Sequence, residues 1–216
     1  MTWRPISAAL LCWTVALGAT ARGGTYYVRG DGAGSDSSAG TNWVTAFATL
    51  QKAVDQLTAA DTNIVINILA SPGGQSYHVF SKTIPSTAAR YFIDVQGGWT
   101  GLNSGPVQDG VSLVSDNAGI VDQPGFSLLG GYHGTPRFAS FNRVSFSNVT
   151  SAAVYIIPSG NDSCDQWFTL SNATIHAQSH GIYLEYPKTY TIGGYGGRSK
   201  VVLNNVSLTA GLRGGD

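Results

Sequence analysis

The sequence predicts an all-β fold: a solenoid of stacked coils with one helix near its N-terminus. The first indication is a short phrase of alternating apolar and polar residues that occurs three times, at 141–146, 170–175 and 203–208. The copies follow one another at 29 and 33 residues, a period typical of solenoids. The second indication is that helical spacing of apolar residues is clear in a single segment. One copy is too small to bury its own apolar face, so the copies must stack.

The N-terminal part predicts a strand, a loop and a helix in that order. Thr25-Tyr-Tyr-Val28 reads as the first strand, and the Gly- and Asp-rich run 30–36 then interrupts regular structure. The predicted helix covers about 45–58, with Thr45 as its N-cap. Its apolar face is formed by Phe47, Leu50, Val54 and Leu57. We expect this helix to cap the first coil.

Short apolar runs separated by Gly, Asp and Pro predict the strands that follow. They lie at 64–68, 91–95, 111–114 and 126–129, ahead of the three copies. No second helical pattern separates them, which argues against a doubly wound α/β sheet.

Strand periodicity predicts which side chains of the copies face the core. If the coils stack in register, two inward columns are expected: Phe146, Ile175 and Leu208, and Val154, Ile182 and Leu212. The small hydroxylated residues between apolar neighbours would form an outward column: Ser145, Thr174 and Ser207. Tyr155 and Tyr183 would stack on the outside.

The N-terminus has the pattern of a secretory signal peptide over residues 1–21. Arg4 precedes an apolar stretch at 8–17, which is too short to span a bilayer, and 19–21 is a small-x-small cleavage site. We therefore expect a protein that is secreted, extracellular or at the cell surface, with residues 22–216 as the mature domain. Cys164 would be its one cysteine, so no internal disulfide could form.

Composition excludes partners that are selected by charge. Lys and Arg number 12, as do Asp and Glu, so no net field favours nucleic acid or an acidic membrane surface. We expect a monomer with no membrane span in the mature chain. The third copy is cut short within its second strand at 211–216. This predicts an N-terminal fragment from which later coils are missing, although a tail that caps locally is the alternative.

Three stretches of the chain resemble the right-handed parallel β-helix superfamily, the pectate-lyase-like group. The run from Tyr26 to Val54 is similar to the N-terminal strand, Gly/Asp loop and capping helix of secreted bacterial members. The run 65–77 resembles a first coil, and the Asn-rich copies resemble later coils. The resemblance implies a right-handed, single-stranded parallel β-helix. It also implies an elongated groove that is often used on acidic polysaccharides, in a superfamily that includes non-enzymatic surface proteins.

Catalysis on such a polysaccharide would need groups that the sequence supplies only sparsely. A lyase needs Ca²⁺ or an Arg cluster together with a basic Lys or Arg, and a glycosidase needs two carboxylates. The catalytic candidates lie between the copies: Asp162, Asp165, His180, Arg198 and Lys200. Their order resembles the polygalacturonase family, but their spacing is shorter and the adjacent Asp pair is missing. A solvated loop and a turn histidine are the alternative interpretations.

Two further sets of residues have both a functional and a structural interpretation. Asp31 and Asp36 could bind Ca²⁺, but a tight loop also needs Asp, Ser and Gly there. Tyr155 and Tyr183 could stack on sugar rings, or anchor the structure. The Asn of the sequon-like motifs at 148, 161, 172 and 205 are interpreted as turn residues between coils.

The function predicted first is carbohydrate binding, or a structural or passenger role, without catalysis in this chain. The alternative is a polysaccharide lyase or glycoside hydrolase that acts on an acidic polysaccharide such as pectin. No cofactor is expected for the first function, and Ca²⁺ would serve a lyase.

Overall fold

The structure of this chain is a computed structural model, and it describes most of the predicted domain. The described residues are 23–58, 63–71, 76–84, 91–102, 105–115, 124–130, 137–158, 166–184 and 199–210. Within these ranges the chain forms fourteen strands and one short helix, α1 (Leu50–Asp55).

The strands fall into a large sheet and a small one. The large sheet comprises β1 (Gly23–Val28), β2 (Asn63–Leu69), β3 (Tyr77–His78), β5 (Tyr91–Thr100), β6 (Val107–Gln108), β7 (Ser112–Ser115), β9 (Arg137–Asn142), β10 (Val144–Val149), β12 (Gln166–Ala177) and β14 (Ser199–Ala210). The small sheet comprises β4 (Phe80–Ile84), β8 (Phe126–Gly130), β11 (Val154–Pro158) and β13 (Ile182–Leu184).

Each pass of the chain adds parallel strands to the same surfaces. In one part of the large sheet, β1, β2, β5, β9, β12 and β14 pair in that order. In another part, β3, β7, β10 and the second half of β12 pair, and the small sheet runs β4, β8, β11, β13. The exception is the antiparallel pairing of β5 with β6.

Left-handed residues mark the bend between the two parts of the large sheet. Asn172 lies in the middle of β12 with φ 52°, and Asn205 in β14 has φ 53°. Arg143, between β9 and β10, has φ 55°. Asn tolerates this conformation better than most residues with a side chain. Asn148, Asn172 and Asn205 share this conformation, but they lie within β10, β12 and β14 rather than in turns between coils as predicted, and Asn161 lies outside the described residues.

The core lies between these sheets and is rich in phenylalanine. Phe141 contacts the rings of four other phenylalanines, with centroid separations of 4.9–6.1 Å. These four are Phe80, Phe126, Phe146 and Phe168, all fully buried. Fully burying such a side chain contributes about 1.5–3 kcal/mol, so this cluster ties successive passes of the chain together.

The predicted inward columns agree with the register where both can be compared. Phe146 pairs with Ile175, and Ile175 with Leu208. Phe146 and Ile175 are fully buried, whereas Leu208 is 46% exposed. Val154 pairs with Ile182, and Leu212 lies outside the described residues.

Ser145 alternates with the buried Val144 and Phe146 and pairs with the half-buried Leu113, which is the outward side that the sequence predicted, yet it is not exposed. Ser145 is buried, and its Oγ accepts a hydrogen bond of 2.9 Å from the backbone N–H of Thr174. The β10–β12 pairing is irregular just beyond Phe146, and Asn148 there has φ 53°. The Ser145 hydroxyl thus accepts the hydrogen bond from Thr174 N–H that a backbone carbonyl would accept in a regular parallel pairing. Thr174 is half-buried and Ser207 is exposed.

The helix is shorter than predicted and starts later. It spans Leu50–Asp55 rather than 45–58, and Thr49 is its N-cap, with Oγ1 accepting from Lys52 N–H. Thr45 is not the cap, because it lies in a turn ahead of Phe47, and Phe47 forms a parallel bridge with Val28 instead of entering the helix. The predicted apolar residues Phe47, Leu50, Val54 and Leu57 are all buried.

The all-β prediction is confirmed, and the large parallel sheet curls into a half-barrel, an arrangement compatible with a solenoid. Among the described residues, no helix has both the length and the apolar character needed to cross a bilayer.

Candidate functional site

The outer face of β5, β9, β12 and β14 presents side chains in straight columns. Buried and half-buried residues alternate along β5, where Ile93 and Val95 are buried while Phe92, Asp94 and Gln96 are not. Because the strands pair in register, each outward residue faces its counterpart on the next strand, about 4.8 Å away. Two columns result, one aromatic and one of small polar residues around Asp94, and a hydrogen-bonded chain of amide side chains runs beside them.

The aromatic column consists of Phe92, Phe138 and Trp167, and ends at Lys200. Phe92 pairs with Phe138, Phe138 with Trp167, and Trp167 with Lys200. The ring centroids of Phe92 and Phe138 are 6.4 Å apart, and those of Phe138 and Trp167 are 5.2 Å apart in an edge-to-face arrangement. Trp167 is 41% exposed, so aromatic surface is presented to solvent at three successive strands.

Lys200 covers part of this surface. Its Nζ lies 5.5 Å from the centroid of the Trp167 ring, in range of a cation–π interaction worth about 0.5–1 kcal/mol when exposed. A long side chain held this weakly can be displaced by a ligand that stacks on the indole. In this structure Lys200 therefore shields one face of the Trp167 ring, and a stacking ligand would have to displace it.

The column next to the aromatic one carries a carboxylate and two hydroxyl groups. Asp94 pairs with Ser140 on β9, which pairs with Thr169 on β12. All three are half-buried. The Oδ1 of Asp94 accepts a hydrogen bond of 2.8 Å from Gln96 Nε2. Hydrogen-bonding groups therefore run parallel to the rings.

Amide side chains form a continuous hydrogen-bonded chain that ends at Asp94. Asn205 donates to Asn172, Asn172 to Asn142, and Asn142 to Gln96, at 2.9–3.0 Å. Gln96 in turn donates to Asp94. Every amide dipole points the same way, and such chains strengthen cooperatively. The arrangement fixes the orientation of Gln96 and, through it, of the Asp94 carboxylate.

The predicted Ca²⁺ candidates hold the N-terminal loop together. Asp31 accepts two hydrogen bonds from Arg29, at 2.6 and 2.9 Å, and one from Ala33 N–H. These bonds, led by that from Arg29, hold the pKa of Asp31 below its usual value. Asp36 accepts from the N–H groups of Ala48 and Thr49 and from Thr49 Oγ1. Both carboxylates thus have the loop role that was the alternative interpretation.

Tyr155 and Tyr183 lie on the outer face of the small sheet, on paired positions. Their rings are stacked with centroids 5.0 Å apart. His180 meets Tyr183 edge to face at 5.6 Å, and its Nδ1 is 2.8 Å from Ser179 Oγ. The backbone carbonyl of His180 accepts from Ala153 N–H of the preceding pass, as expected of a turn residue.

Of the predicted catalytic residues, His180 and Lys200 lie in the described part of the chain. Asp162, Asp165 and Arg198 lie outside the described residues, and His180 and Lys200 contact different groups on different sheets. Within the described ranges no three His, Cys, Asp or Glu side chains are grouped as a metal site would require. Catalysis therefore stays a prediction.

Sequence reasoning missed the aromatic column, although a signal for it was present. Phe138, Trp167 and Lys200 each precede the first apolar residue of a copy by three positions. The same offset before Val95 gives Phe92. Reading one further outward position of each copy would have identified the column.

No protein-family model, curated protein or solved structure matches this chain.

Proposed function

We propose that this chain is a secreted parallel β-helix, capped by α1, that binds carbohydrate without catalysis on the outer face of β5, β9, β12 and β14. The observation that carries the proposal is the aromatic column Phe92–Phe138–Trp167 beside columns of hydroxyl and amide groups. Aromatic rings take the apolar C–H face of a sugar, and the polar columns match its hydroxyl groups.

The repeat along the face supports a polymer rather than a single sugar as the ligand. Successive strands offer one ring and its polar neighbours at about 4.8 Å intervals, a distance comparable to the length of one sugar unit in an extended chain. A glycan that crosses the strands would therefore meet the same groups at each step. Phe92 and Phe138 are half-buried, so Trp167, the most exposed ring of the three, contributes most.

Binding of soluble polysaccharides to the wild type and to Trp167→Ala tests the proposal. Loss of one stacked ring, at about 1–1.5 kcal/mol, weakens binding about five- to tenfold. Tyr183→Ala is the matched control, because it removes an aromatic ring from the outer face of the other sheet. Absence of binding to every polysaccharide tried would contradict the proposal. Loss of binding in Tyr183→Ala alone would move the site to Tyr155 and Tyr183.

A further inference from the structure

Two described side chains with opposite charges border the aromatic column, Asp94 beside Phe92 at one end and Lys200 at the other. Asp94 lies next to the ring of Phe92 along β5, and its register partners on either side are Val65 and Ser140. Asp94 is half-buried, so its carboxylate borders the space that a ligand on Phe92 and Phe138 would occupy.

Among the side chains that the structure describes, no cation forms an ion pair with Asp94. Lys200 lies three strands away, about 14 Å at the usual strand spacing, beyond a Debye length at physiological salt, and its ammonium group is over Trp167. Arg143 donates to the carbonyl of Gly110, and Arg29 is paired with Asp31. Among the side chains that the structure describes, a ligand carboxylate placed here would meet Asp94 without a neutralising partner.

The hydrogen bonds around Asp94 orient its carboxylate so that it can accept a hydrogen bond from a ligand. The amide chain from Asn205 ends on its Oδ1. In the described part of the chain, Oδ2 has no hydrogen-bond donor. A carboxylate oxygen takes only donors, and hydroxyl groups are the donors that a polysaccharide provides.

We propose, on the basis of the function proposed above, that the polysaccharide bound by this face is neutral, with Asp94 accepting its hydroxyl groups beside the rings. The face thereby discriminates against uronate polymers, since like charges at a desolvated contact favour the uncharged ligand.

The test compares a neutral glucan, xylan and mannan with polygalacturonate, for the wild type and Asp94→Asn. We expect the wild type to bind a neutral polymer, with binding insensitive to salt, and to bind polygalacturonate at least tenfold more weakly. Asp94→Asn weakens binding of the neutral polymer about tenfold, because a hydrogen bond to a charged acceptor is replaced by a neutral one. It keeps an acceptor oxygen for Gln96. Asp55→Asn on α1 removes the same charge from another face and leaves binding unchanged.

Two results would overturn the inference while leaving the proposed function standing. One is binding that depends on Trp167 but prefers polygalacturonate. The other is an Asp94→Asn variant that gains polygalacturonate binding without losing the neutral polymer. The first comparison needs only the wild type, so it remains decisive if the variant fails to fold. If the wild type binds none of the four polymers, the proposed function itself fails.

Discussion

The two ends of the large sheet differ in how their edge strands are covered. At the N-terminal end, the outer edge of β1 is hydrogen-bonded to the loop that follows it. Tyr27 N–H donates to the carbonyl of Gly40, Phe47 N–H donates to the carbonyl of Tyr27, and Arg29 N–H donates to the carbonyl of Phe47. The edge of the small sheet is covered in a similar way at β4, where the side-chain amide of Gln51 on α1 both donates to and accepts from the backbone of Ser81. Exposed edges template unwanted pairing, and these contacts block it.

At the other end, β14 occupies the same register but lacks a described strand on its outer side. The apolar residues of β12 that face the core, Phe168, Leu170 and Ile175, are fully buried. Their partners one pass later are Val201, Leu203 and Leu208, which are 38%, 45% and 46% exposed. Positions paired in register thus differ in burial according to whether described strands flank them on both sides. In this fold the next pass of the chain, rather than the residue, determines how much a side chain stabilises.

The largest expected effect compares identical substitutions one pass apart. Leu170→Ala should reduce the free energy of unfolding by about 2–5 kcal/mol, because it leaves a cavity in a closed core. Leu203→Ala, in the same column of β14, should cost less than about 1.5 kcal/mol because solvent already reaches it. Urea unfolding of both variants measures the difference. Equal losses would show that β14 is as well covered as β12.

A second prediction concerns the covering of β1. Gly40 has φ 71°, and a Cβ there would collide with the buried ring of Phe47. Gly40→Ala should therefore cost about 2–4 kcal/mol, from a left-handed backbone and from overpacking.

The control for this prediction is Gly32→Ala. Gly32 has φ 85° with nothing within 4 Å of a new Cβ, so it isolates the backbone cost of about 1–2 kcal/mol. Hydrogen exchange should show faster opening of the Tyr27 and Phe47 amides in Gly40→Ala only. Equal destabilisation in the two variants would mean that the contact with Phe47 contributes nothing.

The sequence predicted what depends on repetition and missed what depends on neighbours from distant parts of the chain. The register of Phe146, Ile175 and Leu208 could be read from the copies, because in-register stacking follows from identical alternation. The burial of Ser145 could not, since it arises from an irregular pairing with a strand 29 residues away. The start of α1 also depended on a distant partner, as Phe47 pairs with Val28 instead of entering the helix.

The candidate site divides in the same way. Lys200 was singled out from the sequence as a loop base, but it lies over Trp167 because strand pairing places the two side by side. Asp94 was not predicted as a site residue, because no motif in the surrounding sequence distinguishes it. The role proposed for it depends on the aromatic column and the amide chain on either side, which form only when the strands are paired.

A third prediction uses the amide chain that joins the buried passes to β14. Asn172 both donates to Asn142 and accepts from Asn205, in a left-handed conformation. Asn172→Ala should cost about 2 kcal/mol, and Asn172→Gly about 1 kcal/mol less, because glycine removes the backbone strain but restores no hydrogen bond.

Asn205→Ala should cost less than Asn172→Ala, since Asn205 has only the bond to Asn172 among the described residues. Thermal unfolding of the three variants provides the ranking. If Asn172→Gly were no better than Asn172→Ala, the amide bonds alone would account for the role of the residue, and backbone conformation would contribute nothing at this bend.

The smallest expected effect is a pH dependence confined to the N-terminal loop. The bond from Arg29 lowers the folded-state pKa of Asp31 below its ordinary value of 3.8, so the stabilisation is present above that value and is lost as the pH falls through the folded pKa. The pair is largely solvated, so the gain is about 0.5 kcal/mol or less. Wild type should thus exceed Asp31→Asn in stability at pH 7 but not at pH 2.5, by urea unfolding.

In an Arg29→Met background the same comparison should show a smaller pH-dependent difference, because the cation that lowers the pKa is gone. A difference that stayed constant with pH would show that the charge of Asp31 contributes nothing, and would leave the loop over β1 held by its backbone contacts and by the bonds to Asp36.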